Sequence, residues 1–230
     1  MKFTFVDLFA GIGGFRIPLE KLGGKCVAYS EIDKHAIEIY KQNFNLENEI
    51  FLGDITEVKK TPKADLIVGG VPCQAWSVAG KKEGFKDPRG KLWKDTIRVI
   101  KNNKPKFFIF ENVKGLYDPR NKASLKLIIT EFRKCNYEVY HRVLNAYDFG
   151  LPQNRDRLFI VGIRSDIKFD FNFPFPVKKS KQLAKIIDGL DINENHLDKK
   201  KFIPRNLFGE KIPFSRNRFQ KNDELNDFFI

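Results

Sequence analysis

Cys73 stands in Gly69-Gly70-Val71-Pro72-Cys73-Gln74-Ala75-Trp76-Ser77, a polar glycine/proline loop that directly follows an apolar run. A thiol in such a loop is placed for nucleophilic attack once its pKa, about 8.5 when free, falls far enough to give thiolate. A lone cysteine is more often an inert small core residue. Cys26 and Cys135 fit that description, whereas no core strand would run through the Cys73 loop. Pro72 stiffens this loop, and its glycines permit close backbone approach. Two further sets of groups have chemical potential. Glu111 ends the apolar run that starts at Phe107, and Arg155 and Arg157 lead into another such run. Taken alone, Glu111 also reads as a strand-end carboxylate that caps a turn. The two arginines also read as a strand edge paired to surface acids.

A second group of residues suits a ligand. Phe9-Ala10-Gly11-Ile12-Gly13-Gly14 follows the first apolar run, and a glycine turn between strand and helix lets backbone N–H groups approach a bound molecule. The pattern is not G-x-G-x-x-G, and a purely structural turn accounts for it equally well. Glu31 lies about 20 residues beyond Gly11, where a carboxylate at a second-strand end accepts hydrogen bonds from ribose hydroxyls. Asp54, in Gly53-Asp54-Ile55 at the expected end of a third strand, is placed to accept from an adenine amino group. Each carboxylate alone reads as a solvated loop residue or a helix cap. Three such features at successive strand ends suit an adenosine that carries no pyrophosphate, as in S-adenosylmethionine.

The elements that must position these groups alternate. Phe3–Leu8 reads as a buried strand, residues 15–22 as a helix that tolerates Pro18 in its first turn, Cys26–Ser30 as a strand and Lys34–Asn43 as a helix. Further strands are expected at Asp65–Gly69, Phe107–Phe110, Glu138–Asn145 and Arg157–Ile163, with helices at Trp93–Asn103 and Ser124–Lys134. Continuous apolar strands alternating with helices imply a doubly wound, mostly parallel α/β sheet. After Arg164 the texture changes to a Phe/Pro run and then a polar stretch, so a boundary is expected near residue 170, dividing 1–170 from 171–230.

Bulk properties bound the answer. The chain has 230 residues, 42% of them hydrophobic and 23 of them phenylalanine, enough for one domain whose core is filled largely by rings. Its net charge of +13 favours a polyanionic partner, most simply nucleic acid, although lysine-rich surfaces also serve solubility alone. Three cysteines without paired spacing argue against a disulfide framework and against a metal site. No run reaches the length of a membrane span or a signal peptide, so a cytoplasmic location is expected.

In order along the chain, Asp7-Leu8-Phe9-Ala10-Gly11-Ile12-Gly13-Gly14, Pro72-Cys73-Gln74, Asp87-Pro88-Arg89-Gly90-Lys91-Leu92-Trp93, Glu111-Asn112-Val113 and Gln153-Asn154-Arg155-Asp156-Arg157 resemble the DNA (cytosine-5) methyltransferase family. The likeness runs from about Lys2 to Arg164 and implies a Rossmann-like, class I S-adenosylmethionine-dependent methyltransferase fold. It implies that Phe9 stacks on adenine, that Gly11 and Gly13 lie beneath the amino-acid part of S-adenosylmethionine, that Glu31 holds the ribose and that Asp54 holds the adenine amino group. Ile12, Ile32, Ile55, Pro72 and Leu92 line the same implied pocket, and S-adenosylhomocysteine is the implied product. Cys73 is the implied nucleophile, Glu111 the partner of cytosine N3 and its amino group, and Arg155 and Arg157 the holders of the cytosine carbonyl oxygen. Gln74, Ser77 and Arg89 are candidates for contacts to double-stranded DNA. Trp76 departs mildly from the phenylalanine frequent in the family.

Such chemistry explains the residue types. C5 of cytosine is a poor nucleophile until a thiolate adds to C6. A carboxyl at N3 and a guanidinium at O2 then stabilise the charge that builds on the ring. The target base must leave the stack to be reached, and phosphate contacts offset that expense. Residues 178–230 hold only the opening of the family's target-recognition domain, with 181–190 resembling its first helix, and the family's final segments are not found. A second polypeptide, a truncated gene or a fragment would each explain this; the first two are the expectation. A tRNA cytosine methyltransferase and a non-catalytic cofactor- or DNA-binding remnant are the competing readings, and restriction–modification is the context associated with the family.

Overall fold

The computed structural model describes residues 2–72, 88–151 and 153–177. In chain order it forms β1 (Phe3–Leu8), α1 (Arg16–Lys21), β2 (Gly24–Ser30), α2 (Lys34–Asn43), β3 (Ile50–Phe51), β4 (Leu66–Gly70), α3 (Pro88–Asn103), β5 (Phe107–Val113), α4 (Lys122–Lys134), β6 (Tyr137–Asn145) and β7 (Asp156–Arg164). The strands make one sheet in the order β3-β2-β1-β4-β5-β7-β6. Pairing is parallel from β3 through β5, and β7 runs antiparallel to β5. Two units divide the chain: Met1–Val143 with Arg157–Phe173, and Leu144–Asp156 with Pro174–Ile230.

The first unit is built as its sequence pattern dictates. Because β-strand side chains alternate between faces, Val6, Leu8, Ile67, Phe108 and Phe110 all point to one side, where they pack on Trp93, Ile128 and Phe132 of α3 and α4. Phe5, Cys26, Leu66 and Val68 point the other way and lie under Leu19 of α1. Rings supply much of the larger core: Phe108 sits 4.4 Å from Phe132, 5.1 Å from Tyr137 and 5.3 Å from Phe110, centroid to centroid. Burying each such ring stabilises the fold by about 1.5–3 kcal/mol, so Phe108→Ala would strike the centre of this packing. The helix α2 starts where Asp33 accepts from the Ala36 N–H at 2.9 Å, satisfying one of the unpaired donors of the first turn.

The sequence reading and the structure part at the third strand. β3 is two residues long, so Gly53, Asp54 and Ile55 lie beyond it and not at its end. Gly53 adopts φ +64°, which turns the chain out of the extended conformation, and the Glu57 and Val58 N–H groups close tight turns on the Asp54 and Ile55 carbonyls.

Candidate active site

The connections fix where a ligand can sit. From β1 the chain moves outward through β2 to β3, then returns to β4 on the other side of β1 and continues to β5. Between the carboxyl ends of β1 and β4 lies the point where strand order reverses, the usual crevice for ligands in open α/β sheets. A cavity opens there. Its walls are Phe9 after β1, Ser30, Glu31 and Ile32 at the end of β2, Asp54 and Ile55 after β3, Gly70 at the end of β4 and Pro72 beyond it, and Leu92 of α3. Phe9, Glu31, Ile32, Asp54, Ile55, Pro72 and Leu92 are therefore brought together.

Each polar wall is held in place locally. Glu31 Oε2 accepts from the Gly11 N–H at 2.8 Å, and Oε1 accepts from the N–H groups of Ile32 and Asp33 at 2.8 and 2.9 Å. Asp54 Oδ1 accepts from the Thr56 N–H at 2.8 Å, an Asx turn that orients the carboxylate. Phe9 has φ +53°, a conformation that strains a non-glycine residue by about 1–2 kcal/mol. Strain of this kind gathers at functional sites, and here it sets an aromatic ring on the cavity wall. Among the described residues no lysine or arginine lines the cavity. Two carboxylates, a ring and apolar walls suit a nucleoside without phosphates.

The glycine turn itself does not line the cavity. Gly11 takes φ +56° and aims its N–H at Glu31, Gly13 takes φ +94°, and Ile12 is 57% exposed. Ser30 and Arg98 are contributors that sequence reasoning missed. Ser30 Oγ donates to the Gly53 carbonyl at 2.6 Å, and Arg98 of α3 donates to the carbonyls of Ile55, Thr56 and Val58, fixing the Asp54 loop from behind. Ser30 carries a signal in its place just before Glu31. Arg98 carries none, being 43 residues from Ile55.

Across β4 lies the second half of the site. Gly70 pairs with Glu111 in the parallel β4–β5 register, and a Cβ built on Gly70 would lie 3.7 Å from Glu111 Oε2. Glu111 is thus next to the cavity's own wall. Arg157 Nε meets Glu111 Oε1 at 2.6 Å, with both side chains about a quarter exposed. Antiparallel pairing makes this contact: Glu111 opposes Phe159 and Val113 opposes Arg157, so the two charges are diagonal neighbours. Next along β5, Asn112 is 1% exposed; its Nδ2 donates to the Val71 carbonyl at 3.0 Å and its Oδ1 accepts from the Val113 N–H at 2.9 Å. It ties β5 to the segment that leads into Cys73.

Cys73, Gln74 and Ser77 lie outside the described residues, and Arg89 falls in the first turn of α3 with its side chain outside them. Arg155 belongs to the second unit, where its carbonyl accepts from the Ala146 N–H at 3.0 Å. Asp7, on β1, is 1% exposed, and its Oδ2 has no hydrogen-bond partner. Burial pushes its pKa well above the usual carboxylate range, opposed by Arg16 and reinforced by Glu31 and Glu49. Among the described residues no three His, Cys, Asp or Glu side chains gather as metal ligands would.

Sheet order, an antiparallel strand beside β5 and a phosphate-free pocket at the switch point are those of a Rossmann-like methyltransferase. Residues 3–226 match the family model for C-5 cytosine-specific DNA methylase, and the chain belongs to that family. It is 50% identical over 231 residues to the type II methyltransferase M.HgiBI of Herpetosiphon aurantiacus, covering all of this chain and 53% of that protein. It is 42% identical over 174 residues to the type II methyltransferase M.HhaI of Haemophilus parahaemolyticus, covering 75% of this chain and 52% of that protein. The chain therefore spans about half the length of these curated relatives. A solved structure of a DNMT2 mutant from Spodoptera frugiperda superposes with a TM-score of 0.68 at 25% identity, over 87% of this chain and 62% of that one.

Proposed function

We propose that this protein transfers a methyl group from S-adenosylmethionine to C5 of cytosine in double-stranded DNA, with Cys73 as nucleophile, in a restriction–modification setting. One observation carries the reading: Glu111 sits against Gly70, so a carboxylate suited to a pyrimidine ring stands beside a pocket suited to a nucleoside. When bound, S-adenosylmethionine supplies an electrophilic methyl group on a sulfonium. Phe9 stacks on its adenine, Glu31 takes the ribose hydroxyls and Asp54 the adenine amino group. Ile32, Ile55, Pro72 and Leu92 exclude water around them, and Gly11, Ile12 and Gly13 flank the amino-acid end.

The target cytosine leaves the duplex, at a few kcal/mol of lost stacking, to reach the strand ends. The Cys73 thiolate adds to C6, forming the S–C6 bond and moving the C5–C6 π electrons onto C5. Glu111 engages N3 and the amino group while Arg157 keeps its carboxylate oriented; Arg155 and Arg157 hold the cytosine carbonyl oxygen. C5 takes the methyl group as its bond to the sulfonium breaks and S-adenosylhomocysteine leaves; a base removes the C5 proton, and the electron pair left behind restores the double bond and expels Cys73. Gln74, Ser77 and Arg89 contact the DNA, whose phosphates are drawn by the +13 charge. Residues 1–170 form the catalytic domain and 171–230 open a recognition region.

The test is adduct trapping. Duplex DNA carrying 5-fluorocytosine blocks proton removal at C5, so the enzyme stays covalently attached. The chain, alone or mixed with a candidate partner, is expected to form the adduct, and Cys73→Ser to abolish it while binding S-adenosylhomocysteine as before. Cofactor binding with no adduct under either condition overturns the proposal in favour of a non-catalytic remnant.

A further inference from the structure

A hollow of about 440 Å³ lies between α1, the start of β2 and the α2–β3 loop, far along β2 from Ser30. Its buried cation, Arg16, is already matched to two of the carboxylates in the wall. Arg16 is 3% exposed, yet its guanidinium donates to Glu20 Oε1 at 2.7 Å, to Glu49 Oε1 and Oε2 at 2.6 and 2.7 Å, to the Tyr40 hydroxyl at 3.2 Å and to the Asn45 carbonyl at 3.4 Å. Every N–H of the Arg16 guanidinium is therefore directed at a protein oxygen, which leaves this buried cation nothing to offer a ligand in the hollow. Its role lies elsewhere, since a dehydrated ion pair is weak ground for stability alone.

Its neighbours define that role. The guanidinium carbon lies 4.3 Å from the centre of the Phe44 ring and 5.2 Å from that of Tyr40. Phe44 in turn presses on Gly13: a Cβ at that position would clash with the edge of the Phe44 ring, and φ +94° disfavours other residues in any case. Tyr40 stacks on Tyr29 at 4.5 Å, and Ala10, Tyr29 and Tyr40 form a small buried core under the glycine turn with Phe44 and Leu46 packed against it. Arg16 thus clamps the α2–β3 loop, holds Phe44 flat beneath Gly13, and stands in the helix whose first turn hydrogen-bonds back to the Gly13 carbonyl through Ile17. Gly11, two residues earlier, is the donor that orients Glu31.

We infer that Arg16, through Glu49 and Phe44, is a positioning residue for the cofactor: it sets the height of the Gly11–Gly14 turn and with it the aim of Glu31, although it touches no part of the pocket. The inference rests on the cofactor reading above. Arg16 acts at a distance by removing alternatives, so that the turn has one conformation before the ligand arrives.

Titration calorimetry of the whole chain with S-adenosylhomocysteine tests it, with thermal unfolding run beside it. Arg16→Met is expected to weaken binding about tenfold, the scale of coupling through such networks. Phe132→Leu, in the core on the other face of the sheet, is expected to lower the unfolding midpoint while leaving the dissociation constant within about twofold. Should Arg16→Met not fold, Phe44→Leu keeps Arg16 and loosens only the contact to Gly13; it is expected to weaken binding about fivefold. Unchanged binding by the folded Arg16 or Phe44 variant, or equal weakening by Phe132→Leu at the same midpoint, overturns the inference. Absence of binding by the unaltered chain overturns the cofactor reading and this inference together.

Discussion

The two halves of the sheet's carboxyl edge hold their carboxylates in opposite ways. On the β1–β3 side, Glu31 and Asp54 are oriented by backbone N–H groups, three of the four within two residues of the carboxylate itself. On the β4–β7 side, Glu111 is oriented by the side chain of Arg157, which reaches it only because β7 runs antiparallel to β5. Backbone donors cannot move, so the first arrangement presents a fixed acceptor for hydroxyl or amino groups. A guanidinium on a flexible stem can share its carboxylate with an incoming ring. In the proposed function, the first half binds and the second responds to charge that appears during reaction.

The sharpest way to break this comparison is at Glu111. Glu111→Ala is expected to lower methyl transfer by about 10²–10³-fold, the usual scale for losing one stabiliser of developing charge. Affinity for S-adenosylhomocysteine should stay put, because no atom of the binding half is altered. Equal losses in turnover and affinity would mean that the two halves are one network. Next in size is Asn112→Leu, which strands the buried Val71 carbonyl and leaves the half-buried Val113 N–H without its partner. Loss of buried partners costs about 1–3 kcal/mol, read by denaturant titration. A variant as stable as the parent would show that water replaces the amide. Smaller again, Glu31→Gln is expected to weaken S-adenosylhomocysteine about tenfold, near 1.4 kcal/mol. The amide nitrogen would face backbone N–H donors, and the aim of the side chain would be lost. Adduct formation at saturating cofactor should not change.

The same contrast explains what could be read from the chain. Strands, helices and the ligand edge were legible because apolar runs and glycine turns are local signals: α2 starts at Lys34 and ends at Asn43 as its pattern requires. Glu31 was legible because it directly follows the end of β2, and Asp54 because its Gly-Asp turn follows the next apolar stretch, though beyond the end of the short β3. Arg98 was not, since its carbonyl partners lie some 40 residues back and nothing in its own neighbourhood marks it. Nor was the Glu111–Arg157 pair, visible in sequence only as two motifs whose contact depends on an antiparallel register. The short β3 misled because Gly53 ends the extended run earlier than the motif around Asp54 suggested.

Asp7 offers the finest test, for it is the buried carboxylate of the binding half whose Oδ2 has no hydrogen-bond partner. Its pKa in the folded protein stands well above the usual value because burial disfavours the charge. In the unfolded chain the group ionises near pH 4. Above that pH the unfolded state has released a proton that the folded state still holds, so stability falls as pH rises until the folded-state pKa is passed. Below pH 4 both states are protonated and nothing is lost. Asp7→Asn, always neutral, removes this slope. Its unfolding midpoint should match the parent's near pH 4 and exceed it by a few degrees at pH 8. Parallel pH profiles, or a variant less stable at pH 8, would show that Arg16 keeps Asp7 ionised despite its burial. The binding half would then contain a charge pair of its own, and the contrast with Glu111 would be one of degree.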